Sequence, residues 1–188
     1  MCCCNGRATN ETNTIIFVGR SDVYKGKFDD PKENWNEVLV ISVDGTHCRI
    51  SRPRIFPSSK WYSHKFHKAG LTYELGIAIR KNRLVWINGP FPAGQSDNKM
   101  FNKPEGLKSR IPVGKRAVGD GNYTNNFPAL TTRNVRDTAE VYKLKSKALA
   151  RHETFNGRIK SFSILDHRFR HGLQKHKDCF TAVCVLVQ

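Results

Sequence analysis

Val38-Leu-Val-Ile-Ser-Val-Asp-Gly-Thr46 decides the fold class. Val38, Leu39, Val40, Ile41 and Val43 give no clean alternation of apolar and polar residues, which predicts a strand covered on both faces. Such a strand belongs at the centre of an α/β sheet. Asp44 is expected at its C-terminal end, with Gly45 where the chain can turn. A carboxylate at the end of a buried strand is costly unless a cation or hydrogen bonds hold it. Asp-Gly is equally a common turn dipeptide, so the role of Asp44 depends on what the rest of the chain supplies.

Downstream, Leu71–Arg80 reads as a strand, Lys81-Asn82 as a turn and Arg83–Gly89 as the hairpin partner. Ser96 or Asp97 caps a helix start that turns Met100 and Phe101 inward. Lys115-Arg-Ala-Val-Gly-Asp120 is a short strand that again runs into Asp-Gly. Residues 121–136 are rich in Asn, Thr and Pro and read as loop. Ala139–Phe162 is helical, with Val141, Leu144, Leu149, Phe155, Ile159 and Phe162 recurring mostly at three-to-four spacing. Lys175–Val187 is a final helix, with a terminal strand as the alternative for its apolar end. Upstream, residues 1–36 read as a poorly defined N-terminal remnant, in which Thr14–Val18 is a short strand or the remnant of a helix. Residues 37–188 form one domain.

The 188 residues carry 32 Lys plus Arg against 16 Asp plus Glu, a formal charge of +16. That excess favours a polyanionic partner, and nucleic acid above all. Lys60-Trp-Tyr-Ser-His-Lys-Phe-His-Lys68 interleaves aromatic and basic residues, which suits a surface that tracks a backbone and stacks on bases; Lys60 and Lys65 are candidate contacts. A solvated strand edge fits the same pattern. Six cysteines are present, at positions 2, 3, 4, 48, 179 and 184, and no CxxC pair occurs. A structural zinc module is therefore poorly supported. No signal-peptide pattern and no apolar run of membrane-spanning length is present, and the expected setting is intracellular, with reduced thiols and no membrane partner.

Glu153 lies in the long basic helix, where a Glu among Arg and Lys is ordinarily a solvated ion-pairing residue. Asp44, Asp120 and Glu153, in that order, are nevertheless an acidic set of the kind two-metal phosphodiester chemistry requires. One ion activates the attacking water or 3′-hydroxyl and the other stabilises the leaving oxygen. Mg²⁺ takes one or two carboxylates and completes its shell with water and phosphate, so three acids suffice if one bridges.

Val43-Asp-Gly-Thr-His47, Gly119-Asp-Gly-Asn-Tyr123, Arg151-His-Glu-Thr-Phe-Asn-Gly-Arg-Ile-Lys-Ser-Phe162 and Phe169-Arg-His171 together resemble the Asp-Asp-Glu (DDE) endonuclease domain of PIF/Harbinger-type transposases. Asn88-Gly-Pro-Phe-Pro-Ala-Gly-Gln-Ser-Asp97 resembles a further family segment, which makes Asp97 a secondary metal-ligand candidate. The resemblance implies a ribonuclease H-like fold, a mixed sheet of about five strands flanked by helices, with Asp44 ending the first strand and Asp120 the fourth. It implies Asp44, Asp120 and Glu153 as catalytic residues and as ligands of two divalent ions, Mg²⁺ or Mn²⁺. It implies cleavage of DNA at transposon ends and strand transfer, with Arg151, Arg158, Lys160, Arg168 and Arg170 gripping phosphates. His47 and His152 adjoin the acids and either orient substrate or serve structure. A nuclear protein, a homodimer and a Myb-like DNA-binding helper are further expectations from the same resemblance. The family's upstream helix-turn-helix region is expected to be missing, which puts terminal-repeat recognition in question, and Gly121-Asn122 departs from the residues expected after the second Asp. The alternative function is a transposon-derived DNA-binding or partner-recruiting module without catalysis.

Overall fold

The computed structural model describes residues 15–16, 34–53, 57–81 and 83–188. The chain is a mixed α/β fold. Its strands are β1 (Ile15–Ile16), β2 (Leu39–Arg49), β3 (Tyr62–Ser63), β4 (Lys68–Ala78), β5 (Arg83–Pro92), β6 (Arg116–Val118) and β7 (Leu130–Thr131). Six of them form an open sheet in the order β1-β5-β4-β2-β6-β7, and β3 pairs off this path with β4. β1, β5, β4 and β2 run antiparallel to their neighbours; β6 and β7 join parallel on the far side of β2.

β2 is central, as its unbroken apolar run predicts, but it does not end at Asp44. The ladder to β4 continues from Ile41↔Ala78 through Asp44↔Leu75 and Gly45↔Glu74 to Arg49↔Gly70. Asp-Gly is therefore mid-strand, not a turn. Pairing with an eleven-residue neighbour supplies the backbone of Gly45 through Arg49 with partners, and that overrides the local turn preference of the dipeptide.

Helices cover both faces. α1 (Trp35–Val38), α2 (Asp97–Phe101), α3 (Ala139–Lys160), α4 (Ser163–Asp166) and α5 (Leu173–Leu186) follow in chain order. α3 and α5 pack on one face, where Leu71, Tyr73, Leu75, Phe155, Ile159, Phe180 and Cys184 share a core. The rings of Tyr73 and Phe180 stack with centroids 3.7 Å apart. The other face is closed by α2 and the 3₁₀ turn Leu107–Arg110, which bring Phe101 and Leu107 against Ile41, Val43 and Trp86.

The expected elements recur with shifted ends. The hairpin strands extend to Lys68 and to Pro92, because both continue the ladder beyond their apolar runs. Ser96 is the cap of α2, its Oγ accepting from Lys99 N at 3.4 Å, and Met100 and Phe101 are fully buried. The long helix stops at Lys160, two residues short of the expected Phe162. Its buried face includes Lys145 and His152, polar residues that an apolar count passes over. The C-terminal segment is helical throughout its apolar end, with His176, Phe180, Val183 and Cys184 buried on one stripe. Of the expected Thr14–Val18 element, Ile15 and Ile16 pair with Ile87 and Trp86; Thr14, Phe17 and Val18 lie outside the described residues.

Candidate active site

Three aspartates from three separate elements lie around the middle of β2, near enough to influence one another without forming a tight group among the described residues. Asp44 projects toward α3, as Ser42 does, because residues two apart on a strand share a face. Its Oδ1 accepts from Gly45 N at 2.8 Å and its Oδ2 from Asn156 Nδ2 at 3.5 Å. Asp97 opens α2 and comes over the strand at the one residue without a side chain: a Cβ on Gly45 would lie 2.2 Å from Asp97 Oδ1. Asp120 follows β6, which is parallel and adjacent to β2. Its carboxylate closes a small turn, with Oδ1 accepting from Asn122 N and Oδ2 from Asn122 Nδ2, both at 2.9 Å.

These charges act on one another. Burial first, and then the neighbouring Asp120 and Asp97, push the Asp44 carboxyl up to about 6, against the opposing pull of Lys65 and the Gly45 amide. Asp97 is raised by burial and by Asp120, again opposed by Lys65. Lys65, in the turn between β3 and β4, is the cation common to both. A partly desolvated set of like-charged carboxylates is the donor chemistry that hard divalent cations select: all oxygen, negative and crowded. By that criterion the residues present fit such an ion. Their spacing is looser: among the described residues, no three Asp, Glu, His or Cys side chains are gathered tightly enough to enclose a metal as they stand.

Glu153 stands apart. It is exposed on α3, and no hydrogen bond or ion pair holds its side chain among the described residues. Asn156, less than one turn later, is the α3 residue that meets Asp44. His152 is buried, with Nε2 3.0 Å from Ser42 Oγ, and burial pushes it down to about 4, so it is neutral at pH 7. His47 is likewise pushed down to about 4, by burial and then by Lys65 and Lys160, and its Nδ1 lies 3.0 Å from Ser63 Oγ.

The expected phosphate contacts are spread over several places. Lys65 and Lys160 line a cleft of about 310 Å³ with Gly45, His47, Arg49, Asn156 and Asp166, directly beside the acids. Lys160 is already engaged there, donating to the carbonyl oxygens of His47 and Leu165. Arg168 lines a larger cleft of about 730 Å³ with Arg52, His64, His67 and Lys68, and among the described residues no acidic side chain lines it. Lys60 and Arg170 are exposed. Arg151 and Arg158 lie elsewhere: Arg151 donates to Ile79 O, at the far end of β4 from the acids, and Arg158 to Val187 O at 3.5 Å.

Sequence reasoning passed over two residues. Glu74 is fully buried opposite Gly45, with Oε2 accepting from Trp86 Nε1 at 2.8 Å; burial pushes it up to about 7. A lone acid inside Leu71-Thr-Tyr-Glu-Leu-Gly-Ile77 was the available signal. Asn156 had none, since one amide on a basic helix carries no pattern. In comparison with known proteins, residues 43–188 match the family described as DDE superfamily endonuclease. No curated protein and no solved structure matches significantly.

Proposed function

Since the chain belongs to the DDE superfamily endonucleases, we propose that it is a metal-dependent DNA endonuclease and transposase domain whose ions are held by Asp44, Asp97 and Asp120. The observation that carries the reading is placement: Asp97 of α2 lies against Gly45, next to Asp44 in β2, and Asp120 follows β6, the parallel neighbour of β2. Bound divalent ions would supply an activated water or 3′-hydroxyl and charge stabilisation at the leaving oxygen. The chain's own part is to concentrate negative charge where those ions bind, and to offer Lys65 and Arg49 on the rim to the substrate phosphates. The cleft holding Arg168 and Lys68 continues this cationic lining and suits the flanking DNA backbone. Glu153, the acid of the helical motif, completes the family set in sequence.

Counting from β2, the five principal strands are three antiparallel and two parallel, and Asp120 follows the fourth. That arrangement supports a ribonuclease H-like fold. The motif resemblance extends the proposal to the PIF/Harbinger type, with Mg²⁺ or Mn²⁺, strand transfer, a homodimer, a Myb-like helper and a nuclear setting. No described helix is long and apolar enough to cross a membrane.

The exposed position of Glu153 and the loose spacing of the acids favour a second reading, a DNA-binding or partner-recruiting module that no longer cuts. Nicking of supercoiled plasmid in Mg²⁺ or Mn²⁺ separates the two. Cutting by the purified chain that Asp44→Ala and Asp120→Ala both abolish is the expected result. A folded chain that binds DNA without nicking it supports the second reading, and nicking that survives both substitutions rejects the assigned site.

A further inference from the structure

A groove runs away from the aspartates along the end of β2. Arg49 and Phe66 line both the cleft beside the acids and a neighbouring one of about 350 Å³. Ile50, Lys68, Ala69 and Arg168 line both that neighbour and the cleft of about 730 Å³ beyond it. The three clefts thus share their walls in sequence. Six residues of extended chain, from Asp44 to Ile50, rise about 20 Å. The segment after α4 forms part of the wall: Phe169 N donates to Arg49 O at 3.0 Å and Ser51 N to Phe169 O at 2.8 Å, which sets Arg168 beside the strand end.

The turn at residues 64–67 serves both ends of the groove. Lys65 and Phe66 line the cleft beside the acids, and His64 and His67 line the far one. The Arg49 guanidinium lies over the Phe66 ring, 5.2 Å from its centroid. In the far cleft Tyr62 is 40% exposed, while Ser63 beside it is wholly buried, as alternation along a strand requires. Pairing of β3 with β4 at Tyr62↔Ala69 fixes the Tyr62 backbone. Its ring meets His64 at a near-perpendicular angle with centroids 5.2 Å apart, and its hydroxyl lies 3.1 Å from His67 Nδ1. The ring is therefore held in place and still open to solvent. Arg52, Lys68 and Arg168 surround it as exposed cations. Arg52 donates to Ser58 Oγ at 2.6 Å, whereas Lys68 and Arg168 have no side-chain partner among the described residues.

A fixed, exposed aromatic ring among cations is the arrangement that binds single-stranded nucleic acid: the cations take phosphates and the ring takes the face of a base. In a duplex the base faces cover one another and are closed to Tyr62. We infer that the groove carries one unpaired DNA strand away from the aspartates, with a base stacked on Tyr62 and phosphates on Lys68 and Arg168. The inference rests on the reading of the chain as a domain that acts on DNA. It adds that DNA beside the acids is opened, since a strand that stayed paired could not stack there.

The test is anisotropy of a fluorescein-labelled DNA strand of mixed sequence, alone and annealed to its complement, titrated with the full chain in EDTA so that no cutting intervenes. Thermal melts confirm folding. Tyr62→Ala is expected to weaken single-strand binding at least about fivefold and duplex binding less than about twofold, and Tyr62→Phe to recover most of the loss. Should Tyr62→Ala fail to fold, Tyr62→Leu replaces it. Arg168→Gln is expected to lower the slope of log K against log salt by about 0.7, the value for one phosphate on a single strand, whereas Tyr62→Ala leaves the slope unchanged. Lys143→Gln removes the same charge from the opposite end of α3 and keeps the wild-type slope. Equal losses on strand and duplex, or single-strand binding untouched in a folded Tyr62 variant, overturn the inference and leave the nuclease reading standing. A slope lowered as much by Lys143→Gln overturns it too, as does polyglutamate bound as tightly and with the same dependence on Tyr62. A folded chain that binds neither DNA overturns both readings.

Discussion

The carboxylate of Asp97 occupies the space that a side chain at Gly45 would need. A Cβ there would lie 2.2 Å from Oδ1 and 3.0 Å from Cγ of Asp97. Glycine is required at this position by close approach and not by backbone conformation, since the strand pairs without a break on either side of it. Gly45→Ala is expected to push Asp97 away from Asp44 and Asp120. Because the obstructed group is the end of a side chain, the stability cost is small, about 1 kcal/mol, whereas Mn²⁺-dependent nicking falls at least about tenfold. Parallel melting curves and nicking assays check the split; equal nicking by the variant would show that Asp97 does not act at the site.

Lys145 gives a separate prediction, on stability alone. Its ammonium, 1% exposed as a residue, is held by Asp137 Oδ1 at 2.9 Å, Thr132 O at 2.9 Å and Thr131 Oγ1 at 3.1 Å. This joins α3 to the strand and loop that follow Asp120. Asp137→Ala leaves a buried charge without its counter-ion and is expected to cost about 3–5 kcal/mol in denaturant unfolding. The double change Asp137→Leu with Lys145→Met is expected to recover much of that loss, because neither charge is then stranded.

Glu74 makes stability depend on pH. Burial raises its carboxyl from 4.5 to about 7, so the folded state binds this proton more tightly than the unfolded state does. The proton's contribution is fully present below about 4.5 and is lost as pH rises through 7. The shift corresponds to about 3 kcal/mol. Glu74→Gln keeps an oxygen for Trp86 Nε1 and cannot ionise. In metal-free buffer it is expected to unfold like the wild type at pH 4 and to be more stable at pH 8; a variant less stable at pH 8 would count against a strained carboxylate.

Three histidines, His152 and His176 buried and His47 half-buried, act in the opposite direction. His47, His152 and His176 are each pushed from 6.5 down to about 4, chiefly by burial. A lowered histidine contributes stability above its unfolded value and loses it as pH falls through the folded one. Unfolding between pH 6.5 and 4 should therefore take up protons at these rings. His152→Gln is expected to flatten the acid limb of the stability curve, and an unchanged slope in urea titrations across this range would show that His152 is not buried neutral.

Most of the framework was legible in the residues. The apolar run before Asp44 announced a strand covered on both faces, and the period of residues 139–162 announced the long helix. Ser96 was readable as a cap because a hydroxyl ahead of an Asp and an inward Met-Phe pair is a local pattern. Asp44 and Asp120 drew notice because each follows an apolar run and precedes a glycine, and Asp97 only through the family resemblance of Asn88–Asp97. Glu74, Asn156 and the His152–Ser42 pair were not, since each depends on a partner distant in the chain.

Apolar spacing and turn chemistry thus determined the mixed α/β class and most of its elements, because those signals act between near neighbours in sequence, although β7 at Leu130–Thr131 lies in a segment they read as loop. Tertiary structure alone decided that Asp-Gly at 44–45 is mid-strand, that Asp97 lies against Gly45, and that Asn156 meets Asp44 while Glu153 faces outward. The physical reason is register. Ladder pairing fixes how far β2 runs, and the contacts of His152 with Ser42, Asn156 with Asp44 and Lys160 with His47 O set how α3 faces β2. Both are set by contacts between segments far apart in the chain, and no local pattern encodes them.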